Sequence, residues 1–146
     1  EKLANLVGVP GHRGKKQKVQ TAWAAGKYSK NMKTVVEALK IVEQKSGKNP
    51  VQVLIKAIEN SAPCDEVTTI EYGGARYPQA VDVSPTRRIA LALRNIVHGS
   101  QDKSFGKKAK MYQALADEIL KASEASKDSF SYTKRIETEK QADSSR

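Results

Sequence analysis

The ten residues from Gln79 to Arg88 leave the backbone little choice. Val81 and Val83 alternate with polar neighbours, which is the period-two pattern of a strand. Ser84 is an N-cap residue type. Pro85 suits the first helical position, where its missing N–H costs nothing, so strand gives way to helix at Ser84. Arg87 and Arg88 then fall in the first helical turn, where the helix dipole already places partial positive charge. Two cations are unfavourable there on local grounds. Either they are solvated on an exposed turn or they meet an anionic partner, and a polyanion would serve.

The strand half of this run needs a mate. Glu66 to Ile70 is rich in β-branched residues, Tyr72-Gly73-Gly74-Ala75 has turn chemistry, and Arg76 to Val83 returns. The pattern predicts a β-hairpin at about 66–83 with Gly-Gly near its tip. A lone two-stranded ribbon is marginal in water, so it must lean on helices or project to a partner.

Helical periodicity accounts for most of the rest. Residues 1–7 read as the tail of a helix, with Leu3, Leu6 and Val7 apolar, before Gly8, Pro10, Gly11 and Gly14 break it. A second helix is expected from near Ser29, with Val35, Leu39 and Val42 on its buried face and Ser46-Gly47 at its end. Asn49-Pro50-Val51-Gln52 starts a third, with Val51, Leu54, Ile55 and Ile58 facing inward and Pro63 closing it. The fourth, from Pro85, carries Ile89, Ala92, Leu93, Ile96 and Val97 as its stripe and is expected to stop at Gly99. A basic linker, Lys103 to Lys110, leads to a fifth helix over Met111 to Ser123, with Met111, Leu115 and Ile119 inward. Residues 127–146 are helix-permissive, with Tyr132 and Ile136 on a narrow apolar strip. The fold class expected is mainly α, about six helices with one hairpin between the third and fourth, forming a single domain over 1–146.

Charge defines the partner class. The 146 residues hold 26 Lys+Arg against 16 Asp+Glu, a formal net charge of +10. Such an excess speaks to partners rather than fold, and nucleic acid is the commonest. From Gly8 to Thr34 there are seven basic residues and no acid, whereas Val35 to His98 nearly balances, eight against seven. The stretch 8–27 is therefore expected to be a basic loop that orders on its partner. Candidate phosphate-binding residues are Arg13, Lys15, Lys16, Lys18, Lys27, Lys30 and Lys33 in and after this arm. Arg87, Arg88 and Arg94 lie on the fourth helix, which carries no acid between Pro85 and His98. Lys107, Lys108 and Lys110 form a third group. Arg76 beside Tyr77, just past the hairpin tip, could stack on a base. Lys134 and Arg135 are candidates diluted by Glu137 and Glu139.

Other chemistries lack their constellations. His12 and His98 are isolated, without metal-ligand spacing, and His98 reads as a complement to a helix C-terminus. Cys64 precedes Asp65, which disfavours a thiolate, and a single cysteine forms no internal disulfide. There is no GxxxxGK[ST] and no GxGxxG, so no cofactor is expected. Asp117-Glu118 reads as a solubilising surface pair. No apolar stretch approaches the roughly 20 residues that span a bilayer, and no membrane role is expected. The chain begins at Glu1 without an initiator Met, and a processed or partial N-terminus is expected.

Several segments, in order along the chain, resemble the universal small-subunit ribosomal protein seven family in its archaeal and eukaryotic form. They are Glu1-Lys2-Leu3-Ala4-Asn5, Ser46 to Pro50, Ala57-Ile58-Glu59-Asn60, Tyr72-Gly73-Gly74, Gln79 to Arg88, and Ala116 to Leu120. Ser131-Tyr132 with Lys134-Arg135 and Glu137 completes the set. The resemblance implies a non-enzymatic, cytoplasmic constituent of the small ribosomal subunit. Such a protein binds the 3′ major domain of small-subunit rRNA and nucleates assembly of the subunit head. Its hairpin points toward exit-site tRNA and the mRNA exit path, and its last helix approaches ribosomal protein eleven. Members of this type usually carry Arg-Glu where this chain has Cys64-Asp65, which removes a positive charge near the hairpin base. A DNA-bending architectural protein using a basic β-ribbon is the alternative. Its usual apolar wedge is missing from the Gly73-Gly74-Ala75 tip.

Overall fold

The computed structural model describes residues 1–10 and 24–146. In chain order it contains α1 (Lys2–Gly8), α2 (Tyr28–Ser46), α3 (Pro50–Ser61), β1 (Asp65–Tyr72), β2 (Ala75–Asp82), α4 (Pro85–Ser104), α5 (Met111–Ser123) and α6 (Phe130–Ser144). The architecture is mainly α, with one antiparallel hairpin between the third and fourth helices.

Local chemistry sets the boundaries. Gly47 ends α2 in the left-handed region at φ 66°, which glycine adopts without strain. The Asn49 side chain accepts from the Val51 N–H at 3.0 Å, and Pro50 opens α3. Ser84 occupies the N-cap position before Pro85, but its hydroxyl makes no capping bond. The Ser129 hydroxyl caps α6 by accepting from the Tyr132 N–H at 3.3 Å. In the hairpin, Tyr72 pairs with Ala75 across a two-residue turn, with Gly73 at φ 58° and Gly74 at φ 80°. Positive φ at both positions suits the twist of a tight hairpin.

The core is aliphatic and small-residue rich. α5 lies at its centre, with Leu115, Ala116, Ile119 and Ala122 fully buried against α2, α3 and α4. Leu3 and Ala4 of α1, Val35, Ala38 and Val42 of α2, Val53 and Ala57 of α3, and Leu93, Ile96 and Val97 of α4 surround it.

Three expectations about the helices are corrected. The buried face of α3 is Val53, Ala57 and Ser61, whereas Val51 and Ile55 stand 52% and 46% exposed. Leu54 and Ile58 pack against the core as expected, half-buried, and the fully inward positions go to Val53, Ala57 and Ser61. In α4, Ile89 is 47% exposed, and burial runs instead from Ala92 to Ser100. Gly99 does not end the helix, which continues to Ser104. A Cβ on Gly99 would meet Phe130 Cβ at 2.8 Å and Glu118 Cδ at 3.1 Å, so this glycine serves close helix packing. Lys103 consequently belongs to α4 and not to the linker.

Candidate nucleic-acid interface

The ribbon is half-buried only at its root, and its distal part is exposed on both strands. The register puts Ile70 opposite Tyr77 and Tyr72 opposite Ala75. Alternation therefore sets Ile70, Tyr72 and Tyr77 on one face. They are 41%, 81% and 58% exposed, a continuous apolar and aromatic surface next to the tip. Arg76 lies on the opposite face, 4.0 Å from Glu71. Neighbours in sequence point to opposite sides of a strand, so Arg76 and Tyr77, both exposed, serve opposite faces of the ribbon. Ile70 and Tyr72 were readable as partners of Tyr77, because a Gly-Gly turn determines the register.

Arg87 and Arg88 have partners inside the molecule. Arg87 makes a two-pronged pair with Glu66, Nε to Oε1 at 2.6 Å and Nη2 to Oε2 at 2.9 Å. The bond to Glu66, then its charge, raises the Arg87 pKa above its ordinary value, with slight burial opposing. Arg88 donates to the Pro63 carbonyl at 3.2 Å and approaches Cys64 Sγ at 3.6 Å. Glu66 answers the local penalty on Arg87, so that penalty does not require a polyanion. Arg135 pairs with Glu139 at 3.2 Å and donates to the Asn60 carbonyl at 3.1 Å, while Lys134 pairs with Glu137 at 2.7 Å.

Arg87 and Lys134 are exposed although paired, and a second set of outward cations is not paired in this way. Arg94 of α4, Lys30 and Lys33 of α2, and Lys107, Lys108 and Lys110 before α5 are exposed. None of their side chains has an ion pair among the described residues. Lys27, exposed at the start of α2, leads into this group. Arg13, Lys15, Lys16 and Lys18, most of the expected basic arm, lie outside the described residues.

The flanks of that arm are tethered. His98 is buried, and its Nε2 lies 2.6 Å from the Pro10 carbonyl. Asn31 Nδ2 donates to the Ala24 carbonyl at 3.1 Å. His98 therefore holds the approach to the arm from mid-helix, rather than complementing a helix end. Glu118 is also misread by sequence. It is fully buried, with Ser129 Oγ, Ser131 N and Ser131 Oγ donating to Oε1 and Lys103 Nζ donating to Oε2.

Among the described residues no group of His, Cys, Asp or Glu could hold a metal ion. Among the described residues no helix is long and apolar enough to cross a membrane. The surface has chemistry for a polyanion: exposed cations with no ion pair among the described residues and an exposed aromatic ribbon face.

Comparison with known proteins agrees with this chemistry. Small ribosomal subunit protein uS7 of Nanoarchaeum equitans is 44% identical over 146 residues, covering all of this chain and 74% of the relative. The protein of the same name from Picrophilus torridus is 50% identical over 124 residues, 85% of this chain and 66% of the relative. That of Cenarchaeum symbiosum is 42% identical over 146 residues, covering 72% of its length. The model of the family Ribosomal protein S7p/S5e matches residues 3–146, and the chain belongs to that family.

Proposed function

We propose that this chain is a structural, non-catalytic constituent of the cytoplasmic small ribosomal subunit. It binds the 3′ major domain of small-subunit rRNA and helps nucleate assembly of the subunit head. The family match over residues 3–146 carries this reading. The charge layout supports it. Arg94, Lys30, Lys33, Lys107, Lys108 and Lys110, exposed and without an ion pair among the described residues, neutralise phosphates, and the arm residues Arg13, Lys15, Lys16 and Lys18 add to them. The ribbon lines the region of exit-site tRNA and the mRNA exit path. Its Ile70, Tyr72 and Tyr77 face offers stacking to unpaired bases, which an RNA helix would not present. Neighbouring ribosomal proteins, protein eleven among them, meet the last helix.

The test is filter binding to an rRNA fragment spanning the 3′ major domain, across a salt series, with duplex DNA as competitor. Tight RNA binding that resists the duplex, with log affinity falling linearly in log salt, is expected. Equal competition by duplex DNA would overturn the reading in favour of an architectural DNA-binding role.

A further inference from the structure

A cleft of about 610 Å³ opens where the end of α2, the first half of α3 and the end of α5 converge. Lys45, Lys48 and Lys56 line it, together with Gln52, and Leu120 belongs to its wall. All three lysines are exposed, and none has an ion pair or hydrogen bond through its ammonium group among the described residues. Glu124 also lines the cleft, leaving a net excess of two positive charges. None of these lysines belongs to the groups described above. Ser61 lies nine positions after Gln52 on α3, so at about 1.5 Å per residue the cleft lies about 14 Å along the helix from the end that feeds the ribbon.

We propose that this cleft is a second RNA-backbone site, holding phosphodiester groups of the rRNA apart from the ribbon and α4. The inference rests on the proposed rRNA-binding role and extends it to a surface that role does not require. Charges gathered around a concave wall focus potential more strongly than the same charges on a flat surface. The choice of cation points to phosphate. Lysines act on phosphate as compact point charges, whereas planar carboxylates of an acidic peptide favour the arginine fork, and no arginine lines the cleft. The Gln52 amide adds a hydrogen-bonding group suited to sugar and phosphate oxygens.

The test compares the 146-residue chain with K45A/K48A/K56A and with K45R/K48R/K56R, each bound to the 3′-domain fragment from 50 to 200 mM salt. Thermal melts check that the exposed substitutions leave the fold intact. Three phosphate contacts contribute about 2.7 to the log–log salt slope. The alanine variant is expected to lose about that much slope, so its affinity falls about fortyfold less than wild type across the series. The arginine variant keeps the wild-type slope. An unchanged slope in the alanine variant, with wild type binding normally, overturns the cleft site alone. Lost binding to polyglutamate with RNA binding intact also overturns it and assigns the cleft to an acidic peptide. Failure of wild type itself to bind the fragment overturns the underlying rRNA reading as well.

Discussion

Replacing Glu118 is expected to be among the most damaging single changes in this chain. Its side chain is fully buried, and four donors converge on it: Ser129 Oγ at 2.7 Å, Ser131 N and Ser131 Oγ at 3.1 Å, and Lys103 Nζ at 3.1 Å. These link α5 to the start of α6 and the end of α4, and Ser61 Oγ extends the network to α3 by donating to Ser131 Oγ at 3.0 Å. Glu118→Ala strips all four donors of their acceptor. Breaking a buried charged pair from one side costs about 3–5 kcal/mol. The low end applies here, because the Lys103 side chain is 33% exposed and can turn to water. A loss of about 3 kcal/mol lowers the melting temperature of a chain this size by about 10 °C. Glu118→Gln keeps an oxygen for the serines but turns an amide toward the Lys103 ammonium, so a smaller loss of about 1–2 kcal/mol is expected. Urea unfolding of both variants beside wild type measures the difference. The reasoning fails if Glu118→Ala costs less than about 1 kcal/mol, or if the glutamine variant is as damaged as the alanine one.

Gly99→Ala separates packing from propensity. Mid-helix, that change ordinarily stabilises by about 1 kcal/mol, yet here the new methyl meets Phe130 Cβ at 2.8 Å, and a loss of about 1–3 kcal/mol is expected in denaturant unfolding. A stabilised variant would mean that the α4–α6 contact yields easily. Asn49→Ala removes the acceptor for the Val51 N–H and is expected to cost about 1 kcal/mol in the same assay, whereas Asn49→Asp retains the cap. Charge reversal at Arg94 is expected to flatten the salt slope of rRNA binding by at least about 1, against little change for Lys134→Glu, whose ammonium is paired with Glu137. Equal losses in filter binding would sink that ranking.

How much could be read from sequence follows the distance over which each signal acts. Asn49-Pro50, Gly47 and Gly73-Gly74 act within a few residues of themselves, and the elements they start, stop or turn appear where expected. Gly99, Glu118 and His98 were misread for the opposite reason. Gly99 and Glu118 meet residues of other helices, and the Pro10 carbonyl beside His98 lies 88 residues away, so local rules assigned them a helix stop, a surface acid and a dipole complement. On α3, Leu54 and Ile58 pack inward as periodicity predicts, but Val51 and Ile55 are exposed and Val53 and Ala57 take the fully buried positions. For the candidate interface, Arg94, Lys30, Lys33, Lys107, Lys108 and Lys110 are exposed, whereas Arg88 and Arg135 are half-buried and the exposed Lys45, Lys48 and Lys56 carried no local signal. Which cations are already neutralised depends on how α4 and α6 meet the ribbon.

That meeting explains why arginine and lysine divide the work. Asn60, Pro63, Asp65 and Glu66 lead from α3 into β1, and each receives an arginine. Arg135 of α6 donates to the Asn60 carbonyl, Arg88 of α4 to the Pro63 carbonyl, Arg146 to Asp65 at 2.7 Å and Arg87 to Glu66. The Cys64 N–H donates to Glu139 of α6 at 3.1 Å. A rigid fork with several donors suits such bridging, because less freedom is lost per hydrogen bond formed. An isolated ribbon is marginal, and outside its root this one has no neighbours among the described elements. The arginine collar is therefore what gives the ribbon a direction. Asp65 fits the same logic, since an acid there meets the guanidinium at the end of the chain. The side chains of the lysines at 30, 33, 107, 108 and 110, flexible and strongly hydrated, have no ion pair among the described residues, nor does that of Arg94. The formal charge of +10 thus overstates what is offered to a polyanion at the ribbon root and understates how selectively it is placed elsewhere.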